Sequence, residues 1–426
     1  MQPSKQAEEL NQIIKSNNPV LFEFLSERGK CAYMPKEGIL AQSAQAKGKR
    51  INATIGIAIE DDGSPMRLNC IAEKILLDPK DVFPYSSSQG KPELREEWKK
   101  DMLKKNPSLK AQISTPIITN ALTHGLSVLG MLFLNPEDRI ITPDLFWGNY
   151  KLIFENSLGA KIETFNTFKG NDFDILAMEE KLKGEGKKIL LLNFPNNPSG
   201  YSPTKEEAKQ IVELIKKYAE EGTKILVILD EAYFGLFYED STEKESLFSW
   251  LADIHPNVIA IKGDAATKED YVWGLRVGFL TFGWKNATLE AYKAIEDKIA
   301  GTIRGNISMG PHISQSLVLS ALRAPSYEQE KKEKFELLKQ RYKKVKEVLA
   351  NDKYKETFEV LPFNSGYFMC IKPKANAEKV RLKLLEKYET GVICQKDLLR
   401  ISFSCVPKNT IEELFDNIYN ACKESV

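Results

Sequence analysis

Along most of this chain, short runs of consecutive apolar residues alternate with longer stretches in which apolar positions recur every three or four residues. From about residue 90 the order is ELREEWKKDMLKK, QISTPIITN, the apolar helix GLSVLGMLFL, DRIITP, KLIFENSLG, AKIETF, KKILLLNF, the helix KEEAKQIVELIKKYAEEG, and KILVILD. ILLLNF and ILVILD are too short for buried helices and apolar at successive positions, which predicts strands covered on both faces. Strands alternating with helices predict an α/β protein with a mostly parallel central sheet flanked by helices. After about residue 325 the charged helix YEQEKKEKFELLKQRYKKVKEVL opens a different section, in which YFMCIKP and LLRISFS surround another helical stretch. That pattern predicts a smaller α+β domain, with a boundary near 330–345. Residues 5–27 predict one or two amphipathic helices that pack through Leu10, Ile13 and Ile14.

Composition narrows the class. A chain of 426 residues, 42% hydrophobic and 28% charged, has material for more than one globular core. With 60 basic against 59 acidic residues, no net field favours nucleic acid or an anionic membrane. The start, MQPSKQAEELNQIIKSNN, has no secretory apolar stretch, and no run approaches the ~20 apolar residues of a membrane span, so a cytoplasmic location is expected. Cys31, Cys70, Cys370, Cys394, Cys405 and Cys422 are scattered without close pairs, as free thiols in a reducing compartment would be. His124, His255 and His312 lack ligand spacing, and no metal is expected. The remaining partners are small molecules or another subunit.

Open α/β sheets bind ligands at the carboxyl ends of their strands. Four junctions there carry chemistry. ILLLNF ends in PNNPSG at 195–200; KILVILD ends at Asp230, followed by Glu231, Ala232 and Tyr233; IITP leads to Phe146, Trp147, Gly148 and Asn149; and VIAIKGDAATK ends at Lys268 before WGLRVGF. Taken singly, each has a plain structural explanation: a turn, a helix cap, a rim aromatic, a solvated lysine.

Together, their order and spacing resemble the class I and II aminotransferases of fold type I, nearest in pattern to the aspartate aminotransferase subgroup. The family's aromatic-x-Asn, NPTG, DxAY, lysine with an arginine eight residues on, and RISF-like strand read here as Trp147–Asn149, Asn197–Gly200, Asp230–Tyr233, Lys268 with Arg276, and Arg400–Phe403. Upstream, Gly56 in INATIGIAIEDDGSP and Tyr85 with Gly90 in YSSSQG match further family positions, so the resemblance runs from about 35 to 405. It implies a large cofactor-binding domain over 66–335 and a small domain made of 1–65 and 336–426.

The resemblance also implies pyridoxal 5'-phosphate held by Lys268 as a Schiff base. The amino group would pass between an L-amino acid and a 2-oxo acid in ping-pong order through pyridoxamine phosphate. Lys268 would also act as general base at Cα. Asp230 would keep the ring nitrogen protonated, a role suited to a nearby carboxylate. Tyr233 and Asn197 would hydrogen-bond the phenolic oxygen, and Trp147 would stack on the ring. Arg276 and the backbone N–H groups of Ala121, Leu122 and Thr123, at a helix start, would take the phosphate. Tyr85 would reach it from a neighbouring subunit, making a homodimer with shared active sites. Arg400, with Gly56, Trp147 and Asn197 around it, would clasp the substrate α-carboxylate as a bidentate fork.

The chain departs from the family pattern in two places. Ala265, Ala266 and Thr267 stand where hydroxyl residues usually precede the lysine, and TNALTHG lacks the glycine or serine usual at 121 and 122. Lys262 is a rival anchor, but only Lys268 stands eight residues before Arg276. For side-chain choice, IRGNISMGP resembles an aspartate-type segment that places Arg304 across the interface against a distal carboxylate, implying aspartate or glutamate. A carbon–sulfur β-lyase, an aminocyclopropane-carboxylate-synthase-like lyase and an aromatic aminotransferase share the same anchors and remain alternatives.

Overall fold

The computed structural model describes residues 2–35, 38–184 and 186–425. Its centre is a seven-stranded sheet of β1 (Ile117–Thr119), β2 (Arg139–Pro143), β3 (Lys161–Phe165), β4 (Lys187–Asn193), β5 (Lys224–Asp230), β6 (Val258–Ala265) and β7 (Gly278–Trp284) in the order β1-β7-β6-β5-β4-β2-β3. Every neighbouring pair is parallel except those made by β7, which runs against both β1 and β6. The mostly parallel α/β fold expected from the sequence is the one observed.

Burial explains the apolar runs. In β4, Leu190 and Leu192 face one core while Leu191 faces the other; in β5, Val227 and Leu229 separate from Ile228 in the same way. Both faces are therefore dry, and truncating one such leucine to alanine costs about 2–5 kcal/mol. The first core is closed by α4 (Lys205–Glu220) through Ile211 and Ile215, the second by α3 (Ala121–Phe133) through Leu126 and Leu129. Among the helices that precede these are α1 (Lys5–Asn17) and α2 (Pro92–Lys105).

After α5 (Leu289–Asn306) and α6 (His312–Leu322), one helix, α7 (Tyr327–Leu349), runs without a break through the range where the sequence suggested a boundary. It leads to a second sheet of β8 (Phe358–Val360), β9 (Phe368–Pro373), β10 (Ile393–Gln395) and β11 (Leu398–Ser402) in the order β8-β9-β11-β10. Two helices, α8 (Ala377–Lys387) and α9 (Ile411–Lys423), accompany that sheet. The N-terminal segment joins it, because Ile51–Asn52 pairs in parallel with Thr390–Gly391 and Ser402 N–H donates to Ala53 O at 2.9 Å. The loop after β4 meets the second sheet at Gly200, where a Cβ would lie 1.8 Å from the Phe368 carbonyl oxygen, a contact only glycine permits.

The N-terminal expectation needs correction. Residues 5–31 form three short helices, Lys5–Asn17, Pro19–Phe24 and Glu27–Cys31, capped by Ser4, Asn18 and Ser26. Ile13 is 65% exposed and Leu10 and Ile14 only half-buried, so the described residues cover the predicted packing face only in part. Local caps hold the helices while tertiary burial contributes little.

Candidate active site

At the carboxyl edge of the central sheet, β4 ends at Asn193 beside Asp230, the last residue of β5, and Asp230 pairs in turn with Gly263 of β6. Asn193 Nδ2 donates to the Asp230 carbonyl at 2.7 Å and Asn193 Oδ1 accepts from Asn197 N–H at 2.8 Å, so one side chain ties two sequence motifs together. Above this edge lies a cavity of about 190 Å³. Its wall includes Lys268, Asp230, Tyr233, Asn197, Trp147, Arg276, Arg400 and Gly56, together with Ala121, Leu122 and Thr123. Residues spread over more than 340 positions of sequence thus meet in one small space.

Lys268 sits in the turn just after β6. Among the described residues no carboxylate lies within ion-pair distance of its amine, which stands 5.1 Å from the Tyr233 ring centre. Burial and the nearby Arg276 charge pull its pKa down to about 8, against the opposing charge of Asp230. Asp230 is 4% exposed; burial raises its pKa, opposed by a hydrogen bond from Tyr150, the Lys268 charge and the Ala232 N–H. An amine that gives up its proton readily and a sheltered acid therefore share one pocket.

At the other end, Arg400 in β11 is buried on the Phe368 ring, with its guanidinium carbon 4.4 Å from the ring centre. Its Nη1 donates to Asn197 Oδ1 at 3.1 Å and its Nη2 to Thr54 O at 2.9 Å. Its Nε is buried and has no partner among the described residues. A donor left over in such a place favours an anion from outside. Tyr233 is buried with Asn197 within hydrogen-bonding reach of its phenol, and burial raises its pKa well above the ordinary value.

The turn before α3 forms without its usual glycine. Ala121 takes φ 61°, and Gly278 of β7 lies so close that a Cβ there would come within 2.8 Å of the Ala121 backbone. Asn120 makes no capping hydrogen bond, which leaves the first-turn N–H groups of α3 for another acceptor. Arg276, also left-handed at φ 56°, is fastened by Nη1 to the Trp273 carbonyl at 3.1 Å.

Three of the residues considered in the sequence lie elsewhere. Lys262 is 1% exposed and ion-paired with Glu231 and, at 3.3 Å, Asp264, away from the cavity. Tyr85 is 91% exposed, and Arg304 is exposed at the end of α5 with its Nη1 on Ser308 Oγ at 3.0 Å; this chain brings neither to its own cavity. Four contributors went unread in the sequence: Ile39 and Phe368 in the wall, Asn193 beneath it, and Tyr150 behind Asp230. Asn193 had a signal, a polar residue closing a buried apolar strand; Tyr150 had one too, standing a helical turn after Trp147.

Comparison with known proteins finds aminotransferases. A probable N-acetyl-LL-diaminopimelate aminotransferase of Bacillus subtilis is 29% identical over 273 residues, 64% of this chain and just under two thirds, 63%, of that protein. An aspartate aminotransferase of Sulfurisphaera tokodaii is 25% identical over 395 residues, 88% of this chain and 91% of the relative. Among solved structures, an aminotransferase from Anaerococcus prevotii superposes with a TM-score of 0.83 at 22% identity, covering 94% of this chain and 99% of that one. Pyrococcus horikoshii kynurenine aminotransferase gives 0.79 at 18% identity, over 96% and 99%. At such identities the structural likeness is one of fold. The sequence model for aminotransferase class I and II matches residues 52–418, and the chain therefore belongs to that family of fold-type-I, pyridoxal 5'-phosphate-dependent enzymes.

Proposed function

We propose that this chain moves an amino group between an L-amino acid and a 2-oxo acid in two half-reactions, the first product leaving before the second substrate enters, with aspartate or glutamate as donor. One observation carries the reading: the amine of Lys268 and the buried acid Asp230 line a cavity that Arg400 also lines, with neither the Lys268 amine in an ion pair nor the Arg400 Nε in a hydrogen bond among the described residues.

The residues fit pyridoxal phosphate group by group. Arg276 and the free N–H groups of Ala121, Leu122 and Thr123 would hold the phosphate. Asp230 would meet the ring nitrogen, Tyr233 and Asn197 the phenolic oxygen, and Trp147 the ring face. When bound, the cofactor supplies the electron sink that lets a Cα–H bond break. The protein does the rest. Lys268 would take the proton from Cα with its neutral amine and return it, which a pKa of about 8 favours at neutral pH over an ordinary lysine. Arg400 grips the α-carboxylate while Asn197 and Phe368 hold the guanidinium plane.

The exposure of Tyr85 and Arg304 supports a homodimer in which each subunit offers these two side chains to the other's cavity. The resemblance around Arg304 is the ground for choosing a dicarboxylic donor. The division into a large unit, 66–335, and a small one, 1–65 with 336–426, rests on the two sheets; a cytoplasmic site of action rests on six free cysteines. Mixing the holoenzyme with each of the twenty amino acids and following cofactor absorbance in a single turnover tests the reaction. Aspartate or glutamate should convert the cofactor fastest and release the matching 2-oxo acid. Fastest conversion by an aromatic amino acid would shift the specificity, and pyruvate with ammonia would indicate a lyase.

A further inference from the structure

Tyr150 belongs to none of the motifs, yet it touches two residues that do. It is fully buried, and its phenol donates to Asp230 Oδ2 at 2.6 Å. Its ring meets Trp147 edge-on at 5.8 Å and 85°, while Phe146 and Phe154 close its other sides at 6.1 and 6.0 Å. Local structure puts it there. Tyr150 N–H donates to the Trp147 carbonyl at 2.9 Å in the turn that opens the helical segment Lys151–Asn156, so the two aromatic residues project from one side. Among the described residues the other protein donor to the Asp230 carboxylate is Ala232 N–H, on Oδ1 at 3.2 Å. Lys268 acts on the carboxylate through charge, and Tyr233 is the further titratable group facing Tyr150. A carboxylate buried this deeply persists as an anion only while donors hold its oxygens.

We infer that Tyr150 is a positioning residue for the cofactor ring: it keeps the Asp230 carboxylate charged and in one orientation for the ring nitrogen, and it fixes the plane of Trp147 beside it. The inference rests on the reading that pyridoxal phosphate occupies this cavity. One side chain then sets both contacts that govern the ring, at its edge and at its face.

Tyr150→Phe removes the hydroxyl and keeps the ring. Apo protein is titrated by equilibrium dialysis with pyridoxal phosphate and with an analogue that has carbon in place of the ring nitrogen. Losing a hydrogen bond to a charged group should weaken pyridoxal phosphate binding about tenfold, and the analogue should bind the variant as well as it binds the unsubstituted protein. An equal loss for both would reduce Tyr150 to packing, and no loss for either would leave its hydroxyl without effect; both results overturn the inference. The Asp230→Ala background gives a second arm that leaves no buried charge to destabilise the fold. There the added Tyr150→Phe change should alter pyridoxal phosphate affinity by less than about twofold, and a further tenfold loss would contradict the role. Failure of the unsubstituted apo protein to bind pyridoxal phosphate would overturn the reading of the site, and this role with it.

Discussion

Lys262 and Lys268 are six residues apart in sequence and occupy opposite electrostatic worlds. Strand alternation sends Lys262 to one face of β6, while its neighbour Gly263 meets Leu122 of the cavity on the other. Around Lys262, burial alone would lower the pKa, but Asp264 and Glu231 outweigh it and hold the amine protonated above its usual range. The Phe234 ring lies 4.2 Å beneath the ammonium, and Trp98 Nε1 donates to Asp264 Oδ2 at 3.2 Å. Around Lys268 burial, helped by the like charge of Arg276, outweighs the opposing charge of Asp230, and its pKa falls to about 8. A lysine with ion-pair partners is structure; one denied them gives up its proton more readily, which suits the base and nucleophile proposed for Lys268.

Exchanging either lysine should separate these roles. Lys268→Ala is expected to cut turnover by about 10⁴-fold or more, since on the proposed reading it removes both the imine anchor and the general base, with the unfolding midpoint in urea held or raised. Lys262→Met should do the reverse. Stripping two buried carboxylates of their cation costs about 3–5 kcal/mol, read from urea unfolding, while turnover per folded molecule stays within a few-fold. Comparable activity losses in both variants would erase the distinction.

The pH dependence of stability sharpens it. The folded Lys268 amine, at about 8, lies below its ordinary value of 10.5, so between these values the unfolded chain binds the extra proton. This group's contribution must therefore rise as pH climbs from about 8 towards 10.5, and its penalty is fully present below that window. Urea unfolding of apo protein across the window, compared with Lys268→Ala, should show the rise only in the lysine-bearing chain; parallel curves would contradict the depressed value. The smallest effect lies in the turn before α3. Ala121→Gly should stabilise the apo protein by about 0.5–1 kcal/mol by relieving the left-handed alanine, as a shift in thermal midpoint.

Why Lys268 could be told from Lys262 in the sequence, and Tyr150 could not be found there, follows from what fixes each. Lys268, Asp230, Arg276 and Arg400 are residue types that the reaction demands, at strand ends or fixed spacings, and the structure gathers them in one cavity. Tyr150 and Phe368 act through tertiary contact alone: a tyrosine behind an acid 80 positions away, a phenylalanine under an arginine on the next strand. Runs such as ILLLNF revealed two-sided burial and hence the sheet, but apolar patterning is blind to direction, so the reversal of β7 left no trace in it. At the N-terminus the periodicity of Leu10, Ile13 and Ile14 marked a helix face without saying what would cover it.

The central claim is that the amine at 268 alone serves as the cofactor's anchor. Reducing the holoenzyme with borohydride and locating the pyridoxyl group by peptide mass tests it directly. The label is expected on the peptide carrying Lys268 and to vanish in Lys268→Ala; a label on Lys262, or one that survives that substitution at the same yield, would contradict the account.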